Sequence, residues 1–78
     1  MNETDAKCII SSVWTLKECL GIEYAVNVEF AADTNQVVIE IRKNYDTLFT
    51  HTWQEGDTVD SFLAALNIRV NYIFELEA

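Results

Sequence analysis

The spacing of apolar residues changes along this chain, and that change limits the fold classes open to it. Residues 4–20 repeat apolar side chains every three to four positions, which places them on one face of a helix. Residues 23–30 and 37–42 instead alternate apolar and polar side chains, as half-buried strands do. Two different periods in a short chain predict an α+β domain.

The first predicted helix has a signal at each end. Asn2 or Thr4 provides an N-cap, and Gly21 stands where a glycine commonly ends a helix. We expect residues 4–20 to be helical. The predicted buried face consists of Ile9, Val13, Leu16 and Leu20, widened by Ala6, Ile10 and Trp14.

The alternating region contains two short connections, at residues 33–35 and 43–46, that are rich in turn-forming residues. Connections of this length join neighbouring antiparallel strands, so we predict a three-stranded meander that ends with a strand over residues 47–53. In this third strand either set of alternate side chains fits a buried face. The sequence leaves open whether the set with Phe49 or the set with Leu48 is inside.

A second helix is predicted to begin at Asp57, an N-cap for which Asp60 completes a capping box. We expect it to end at about Leu66, with Asn67 in the left-handed conformation. Residues 70–76 alternate again and predict a fourth strand. The expected order is α-β-β-β-α-β, with both helices packed on one face of an antiparallel sheet.

Charge is the strongest compositional bias of this single small domain, residues 1–78, where 13 acidic and five basic residues give a net charge of −8. Direct binding of nucleic acid requires basic residues at the phosphates, and an anionic membrane surface would repel the chain. We therefore expect neither nucleic acid nor a membrane as a direct partner. A basic protein surface would attract the protein and guide its approach.

No motif indicates an enzyme or a metal site. The only histidine, His51, has threonine neighbours and no nucleophile turn. Cys8 and Cys19 are about 16 Å apart along one helix, too far for a disulfide, and lack the paired spacing of zinc ligands. We expect a non-enzymatic protein without catalytic residues, metal or cofactor. The polar N-terminus and the lack of a long apolar run predict a cytoplasmic location.

Carboxylates are the candidate binding groups. If the apolar sides of the first two strands face the helices, Glu23, Glu29 and Glu40 share the open face of the sheet, which would imitate phosphate charge. The alternative is an ordinary solvated face that Arg42 partly neutralises. Glu75 and Glu77 join this face if the fourth strand pairs alongside. The predicted partner-binding residues are Glu23, Glu29, Glu40, Asp46, Trp53, Glu55, Glu75 and Glu77.

The segment QVVIEIRKNYDTLFTHTWQEGDTVDSFLAALN, residues 36–67, resembles the strand–strand–acidic turn–helix core of one type of Cas9 inhibitor. Such inhibitors are small acidic phage proteins, known as anti-CRISPR proteins. The resemblance implies a one-domain α+β protein that occupies a nucleic-acid-reading site through carboxylates. The inhibitor type continues in helices, whereas residues 70–76 are predicted here as a strand, so no residue role is transferred by position.

Three functions follow as hypotheses. The first is an inhibitor, phage-encoded and acting in the host cytoplasm, that blocks a basic surface on a nucleic-acid-processing protein. Its contacts would include exposed aromatic residues such as Trp53 or Tyr45. The second is an immunity protein or antitoxin that caps a toxin. The third is a structural or accessory subunit that forms a homodimer through an edge strand, and the sequence leaves monomer and homodimer open.

Overall fold

The computed structural model describes residues 1–31, residue 33 and residues 36–77, with the backbone alone for residue 77. Within them the chain forms an α+β domain of two helices and a three-stranded antiparallel sheet of order β1-β2-β3. This confirms the predicted fold class. The elements are α1 (Glu3–Leu20), β1 (Tyr24–Ala31), β2 (Gln36–Lys43), β3 (Asp46–Thr52) and α2 (Val59–Glu77). Of the predicted turn at residues 33–35, Thr34 and Asn35 lie outside the described residues.

The predicted fourth strand is wrong, because residues 70–76 belong to α2. Phe62, Leu66 and Val70 are four residues apart, and each is at most 3% exposed. Burial of Val70 therefore continues the helical stripe beyond Asn67, which is helical and does not cap the helix. No glycine or proline interrupts this stretch. The apolar residues of 70–76 are compatible with the helical period as well as with strand alternation. Extending an existing helix costs less free energy than nucleating a new element.

Local hydrogen bonds set both ends of α1. The side chain of Asn2 accepts a bond from Asp5 N at 2.9 Å, and the Asp5 carboxylate accepts one from Asn2 N at 3.3 Å. Asn2 is therefore the N-cap, and Thr4 is already helical. At the other end Gly21 has φ +96°, a conformation that favours glycine. The capping box and the glycine together explain why the helix covers Glu3–Leu20.

The buried face of α1 is narrower than predicted. Ile9, Val13 and Leu20 are buried, while Ile10 and Trp14 are 50% and 61% exposed. These two residues lie beside the buried stripe, where the sheet and α2 do not reach them. The predicted widening of the apolar face is therefore wrong for Ile10 and Trp14, whereas Ala6 is half-buried.

A bulge in the sheet decides which side of β3 is buried. Ile41 pairs with Phe49 and Arg42 pairs with Thr47, so Leu48 is an extra residue without a partner on β2. Beyond the bulge Ile39 pairs with His51, and the set that contains Phe49 and His51 faces the helices. This is one of the two alternatives that the sequence left open.

The start of α2 is one residue later than predicted. Thr58 and Ser61 form the capping box: Ser61 N donates to Thr58 Oγ1 at 3.1 Å, and Thr58 N donates to Ser61 Oγ at 2.9 Å. The Asp57 carboxylate instead accepts bonds from Gln54 N at 2.8 Å and from the Ser61 hydroxyl. Asp57 therefore closes the turn before the helix, and this leaves Thr58 to cap it.

The core lies between the sheet and the two helices. Each helix contributes one stripe, and β2 contributes its whole inward face. The largest fully buried side chains are Ile9, Val37, Ile39, Ile41, Phe62 and Leu66. Burying a side chain of this size contributes roughly 1.5–3 kcal/mol, so these contacts are the main stabilisation of a small domain.

Candidate protein-interaction surfaces

Two of the three carboxylates predicted on the open face of the sheet lie within its strands. Glu29 pairs with Val38, and Glu40 pairs with Asn27, so both side chains point away from the helices. Glu23 lies one residue before β1, and its carbonyl accepts a hydrogen bond from Asn44 N at 3.1 Å. It therefore lies at the edge of the open face, beside the β2–β3 turn, and lines a concave surface with Ala25 and Arg42 of that face.

Glu40 is held by its neighbours on that face. Its carboxylate accepts hydrogen bonds from the Asn27 amide at 3.1 Å and from the Thr47 hydroxyl at 3.2 Å. Arg42 Nε lies 4.0 Å from the same carboxylate. The other outward side chains of β3, Thr50 among them, are uncharged. Glu40 is therefore locally compensated, as in the alternative that the sequence left open, in which Arg42 partly neutralises the face.

Basic and acidic residues differ in how the fold uses them. All five basic side chains make contacts within the protein: Lys7 with Glu3, Lys17 with Trp14, Arg42 with Glu40, Lys43 with Tyr24, and Arg69 with Thr50 and Phe49. Many carboxylates, by contrast, make no hydrogen bond or ion pair among the described residues: Glu18, Glu23, Glu29, Asp46, Glu55, Asp60 and Glu75. Of the contacts given for the basic side chains, those of Lys7 and Arg42 are with carboxylates, so these contacts neutralise little of the excess negative charge.

The turn between β2 and β3 presents an exposed aromatic residue. Asn44 and Tyr45 have φ values of +49° and +76°, the left-handed conformations that a two-residue hairpin turn requires. The second position usually holds glycine, and a bulky aromatic residue there is an outlier. Tyr45 is 93% exposed, so contacts with the core do not explain this strain.

A second large apolar residue lies at the same end of the sheet. Ile22, between α1 and β1, is fully exposed and lines a shallow concave surface with Glu23, Asn44 and Tyr45. Asp46 follows Tyr45 directly at the start of β3. We call Ile22, Glu23, Tyr45 and Asp46 the hairpin-end surface. It combines two exposed apolar side chains with two unpaired carboxylates.

The remaining predicted binding residues are dispersed. Trp53 is half-buried, with its ring 5.3 Å from that of Phe62, so it packs against the core and is no exposed aromatic contact. Glu55 is exposed in the connection between β3 and α2. Glu75 lies on α2, in the helical layer, and does not join the open face because the fourth strand does not exist. The Glu77 side chain lies outside the described residues.

The side chain of the histidine is buried between β3 and α2. His51 is 8% exposed and stacks 4.6 Å from the Phe62 ring. Arg69 Nη1 lies 3.3 Å from His51 Nδ1, and an arginine only donates, so Nδ1 accepts. His51 Nε2 therefore carries the proton and donates to the Phe62 carbonyl at 3.0 Å. Both ring nitrogens join β3 to α2, an arrangement that offers neither to a substrate.

Within the described part of the chain, neither the cysteine thiols nor groups of metal-ligand side chains form a further candidate site. Cys8 and Cys19 are free and exposed on α1. Within the described residues no group of three or more histidine, cysteine, aspartate or glutamate side chains is arranged to hold a metal ion. Among these same residues, neither helix combines the length and hydropathy that crossing a membrane requires.

Comparison of the chain with protein-family models, with curated proteins and with solved structures found no match.

Proposed function

We propose that this protein is a non-enzymatic inhibitor that covers a basic nucleic-acid-binding surface of a protein partner. The partner class is a CRISPR effector or a similar host-defence protein, and the site of action is the cytoplasm, of the host if the gene belongs to a phage. The proposal assigns binding to the hairpin-end surface, with Glu29 on the open sheet face as a further contributor of charge.

The observation that carries the proposal is Tyr45. A tyrosine in a strained left-handed position costs stability, and its ring is exposed to solvent. Strain of this kind persists where it serves function. Exposed tyrosines are also among the residues that most often dominate binding energy at protein interfaces. Tyr45 is therefore the proposed anchor of the contact.

Charge supports the same assignment. Glu23 lines the same concave surface as Tyr45, which also includes the basic residue Arg42, and Asp46 follows Tyr45 in the chain. A net charge of −8 attracts a basic partner over a long range. A surface that binds DNA or RNA displays lysine and arginine for phosphates. Carboxylates at the edge of an aromatic anchor complement such a surface.

The course of α2 removes one difference from the Cas9 inhibitor type that residues 36–67 resemble. That type continues in helices after this segment, and here α2 is helical to Glu77. The two chains therefore agree in the kind of element that follows the resembling segment. This agreement supports the proposal through secondary structure alone.

The test is release of nucleic acid from an effector. Purified Cas9–guide RNA complexes and other basic nucleic-acid-binding effectors are each loaded with fluorescent target nucleic acid, and anisotropy is followed as this protein is added. We expect displacement from at least one effector. Retention of the labelled strand by every effector, with no complex detected by size exclusion, would contradict the proposal.

Tyr45→Gly separates function from folding. Relief of about 1–2 kcal/mol of left-handed strain offsets the roughly 0.5–1 kcal/mol that glycine costs in chain entropy, so the variant should be at least as stable. We nevertheless expect it to lose most of its displacement activity. The control is Trp14→Ser, which removes an exposed aromatic residue on α1, and this variant should retain activity.

The charge contribution is tested by Glu23→Gln combined with Asp46→Asn. Association should slow at low salt, and the difference from the unsubstituted protein should shrink as ionic strength rises, because exposed charges are screened. Stopped-flow mixing measures the rate. An unchanged association rate at every salt concentration would assign the steering to other carboxylates.

A further inference from the structure

The second half of α2 exposes apolar side chains that no other part of the described chain covers. Ile68, Tyr72 and Leu76 are 70%, 61% and 69% exposed. They recur every four residues and therefore lie along one side of the helix. Ala64 and Ala65 are also exposed one turn earlier. α2 is thus apolar on its core side and on an outer side, a distribution typical of a helix that is buried from two directions.

These side chains form one wall of a groove. The opposite wall is β3 at its bulge, where Leu48 and Phe49 face α2. The groove has a volume of about 640 Å³ and runs along about 12 Å of α2, from Ile68 to Leu76. That length accommodates two turns of a second helix, whose anchors would recur at three- to four-residue spacing.

Arg69 closes the floor of the groove. Its guanidinium lies 4.5 Å from the Phe49 ring centre and donates to the Thr50 carbonyl at 2.9 Å. The single basic group in the groove is therefore used by the fold to hold α2 against β3. The other side chains that line the groove are uncharged. The positive charge of Arg69 itself is not neutralised, because the Phe49 ring and the Thr50 carbonyl carry no net charge.

Acidic groups lie at both ends of α2. Asp60 is in the first turn, Glu75 is in the last, and the last turn contains no basic residue. The carbonyls at the C-terminal end of a helix add partial negative charge there. At 100° per residue, Glu75 projects about 20° from Ile68 on the side away from the core. A carboxylate therefore borders the outer edge of the apolar lining.

This charge distribution selects among possible occupants. A second copy that packed α2 antiparallel against α2 would bring Asp60 of one copy towards Glu75 of the other, and each copy has a net charge of −8. A helix with an apolar stripe and lysine or arginine beside it would meet Glu75 at the outer edge of the lining and would be attracted by the net charge of −8. Charge complementarity therefore favours a basic amphipathic helix.

We infer that the groove between α2 and β3 is a docking site for a basic amphipathic helix of a protein partner, with Ile68, Tyr72 and Leu76 as the apolar contacts. From the proposed function this inference takes only the sign of the partner's charge. It adds a site distinct from the hairpin-end surface. The groove would supply apolar contact area, which slows dissociation, while the carboxylates elsewhere speed association.

The probe is a synthetic leucine–lysine peptide with leucines at i, i+3, i+4 and i+7, long enough to form a helix alone. Two control peptides accompany it: one has the same composition in an order without a stripe, and one has glutamate in place of lysine. We expect the striped lysine peptide to bind at least about tenfold more tightly than either control by fluorescence anisotropy. Equal binding of the unstriped peptide would reduce the interaction to unspecific charge and overturn the inference.

Matched variants test the location. Ile68→Ser with Tyr72→Ser removes two exposed residues four positions apart on α2, and Ile10→Ser with Trp14→Ser does the same on α1. The α2 pair should lose at least about tenfold in affinity for the striped peptide, while the α1 pair should bind normally. Both pairs should keep the urea midpoint, because all four side chains are largely exposed. If the two double variants bound the striped peptide with equal affinity, the location of the site on α2 would be contradicted.

Two further measurements are decisive against other occupants. Amide chemical shifts should move at residues 64–76 and 47–49 when the striped peptide binds, and shifts confined to the hairpin-end surface would overturn the inference. Light scattering should show a monomer, and a dimer that Ile68→Ser with Tyr72→Ser dissociates would make a second copy the occupant. None of these readouts uses nucleic-acid release, so the groove and the proposed function fail separately.

Discussion

The two helices pack on the same side of one sheet, yet they present different surfaces to solvent. α1 has a capping box at its start and a glycine at its end, and its two lysines contact Glu3 and the Trp14 ring. α2 has a capping box at its start only, acidic residues in its first and last turns, and an apolar outer side. Two helices of one small domain can therefore share a core while they differ in the large apolar residues left exposed: Ile10 and Trp14 on α1, and Ile68, Tyr72, Phe74 and Leu76 on α2.

The difference continues along α2 itself. Leu66 is 1% exposed in the core, and Leu76, ten residues later, is 69% exposed beside the groove. Two leucines of the same helix therefore lie in different environments. The core side of α2, from Phe62 to Val70, contributes to folding, and the exposed outer side from Ile68 to Leu76 is the part that the proposed partner would cover.

The largest expected effect tests that division within α2. Leu66→Ala should lower the free energy of unfolding by about 2–4 kcal/mol, since it removes buried methyl groups and leaves a cavity. Leu76→Ala should change it by no more than about 0.5 kcal/mol. Urea denaturation measures both. A comparable loss from the two substitutions would mean that the end of α2 is packed in solution and that the two halves are alike.

An intermediate effect separates the basic residues of the two helices. Arg69→Met removes a charged hydrogen bond between α2 and β3 and should cost about 1 kcal/mol. Lys7→Met removes only an exposed pair between neighbouring turns of α1 and should cost about 0.5 kcal/mol or less. Thermal unfolding of both variants at the same ionic strength tests the order. If Lys7 proves the more important, α1 depends on its surface charges more than the structure indicates.

The smallest expected effects have opposite signs in the two helices. Glu75→Lys gives α2 the basic residue that its last turn lacks and should stabilise the protein by about 0.3–1 kcal/mol. Lys17→Glu makes the end of α1 acidic and should destabilise it by a similar amount. Both changes should diminish in high salt. Shifts of the same sign would show that total charge, not the position at a helix end, determines the outcome.

Local patterns were sufficient for most elements and for part of the candidate site. Asn2, Gly21 and the alternation of β1 and β2 predicted those elements because caps and periods depend on near neighbours. Tyr45 was predicted as exposed, because turns are also local. Ile22 was overlooked, although a large apolar residue just after a helix-ending glycine, outside both periods, is a signal that the sequence contains.

Other predictions failed where two local solutions were equally good. Residues 70–76 fit a strand and a helix, Asp57 and Thr58 are both suitable N-caps, and Trp53 is equally plausible inside or outside. In each case the outcome depended on a group distant in sequence or on a competing hydrogen bond. The apolar outer side of α2 was missed for the same reason, because it exists only if the helix continues.

The sequence by itself determined the α+β class, the first helix, the three-stranded meander and the excess of negative charge, since each follows from periods, caps and composition within a few residues. Only the tertiary structure decided that Val70 is buried and extends α2, that every basic side chain is engaged within the fold, and that Ile68, Tyr72 and Leu76 are left uncovered. The physical reason is that burial and charge pairing join residues distant in the chain. Local geometry limits the choices, and packing selects among them.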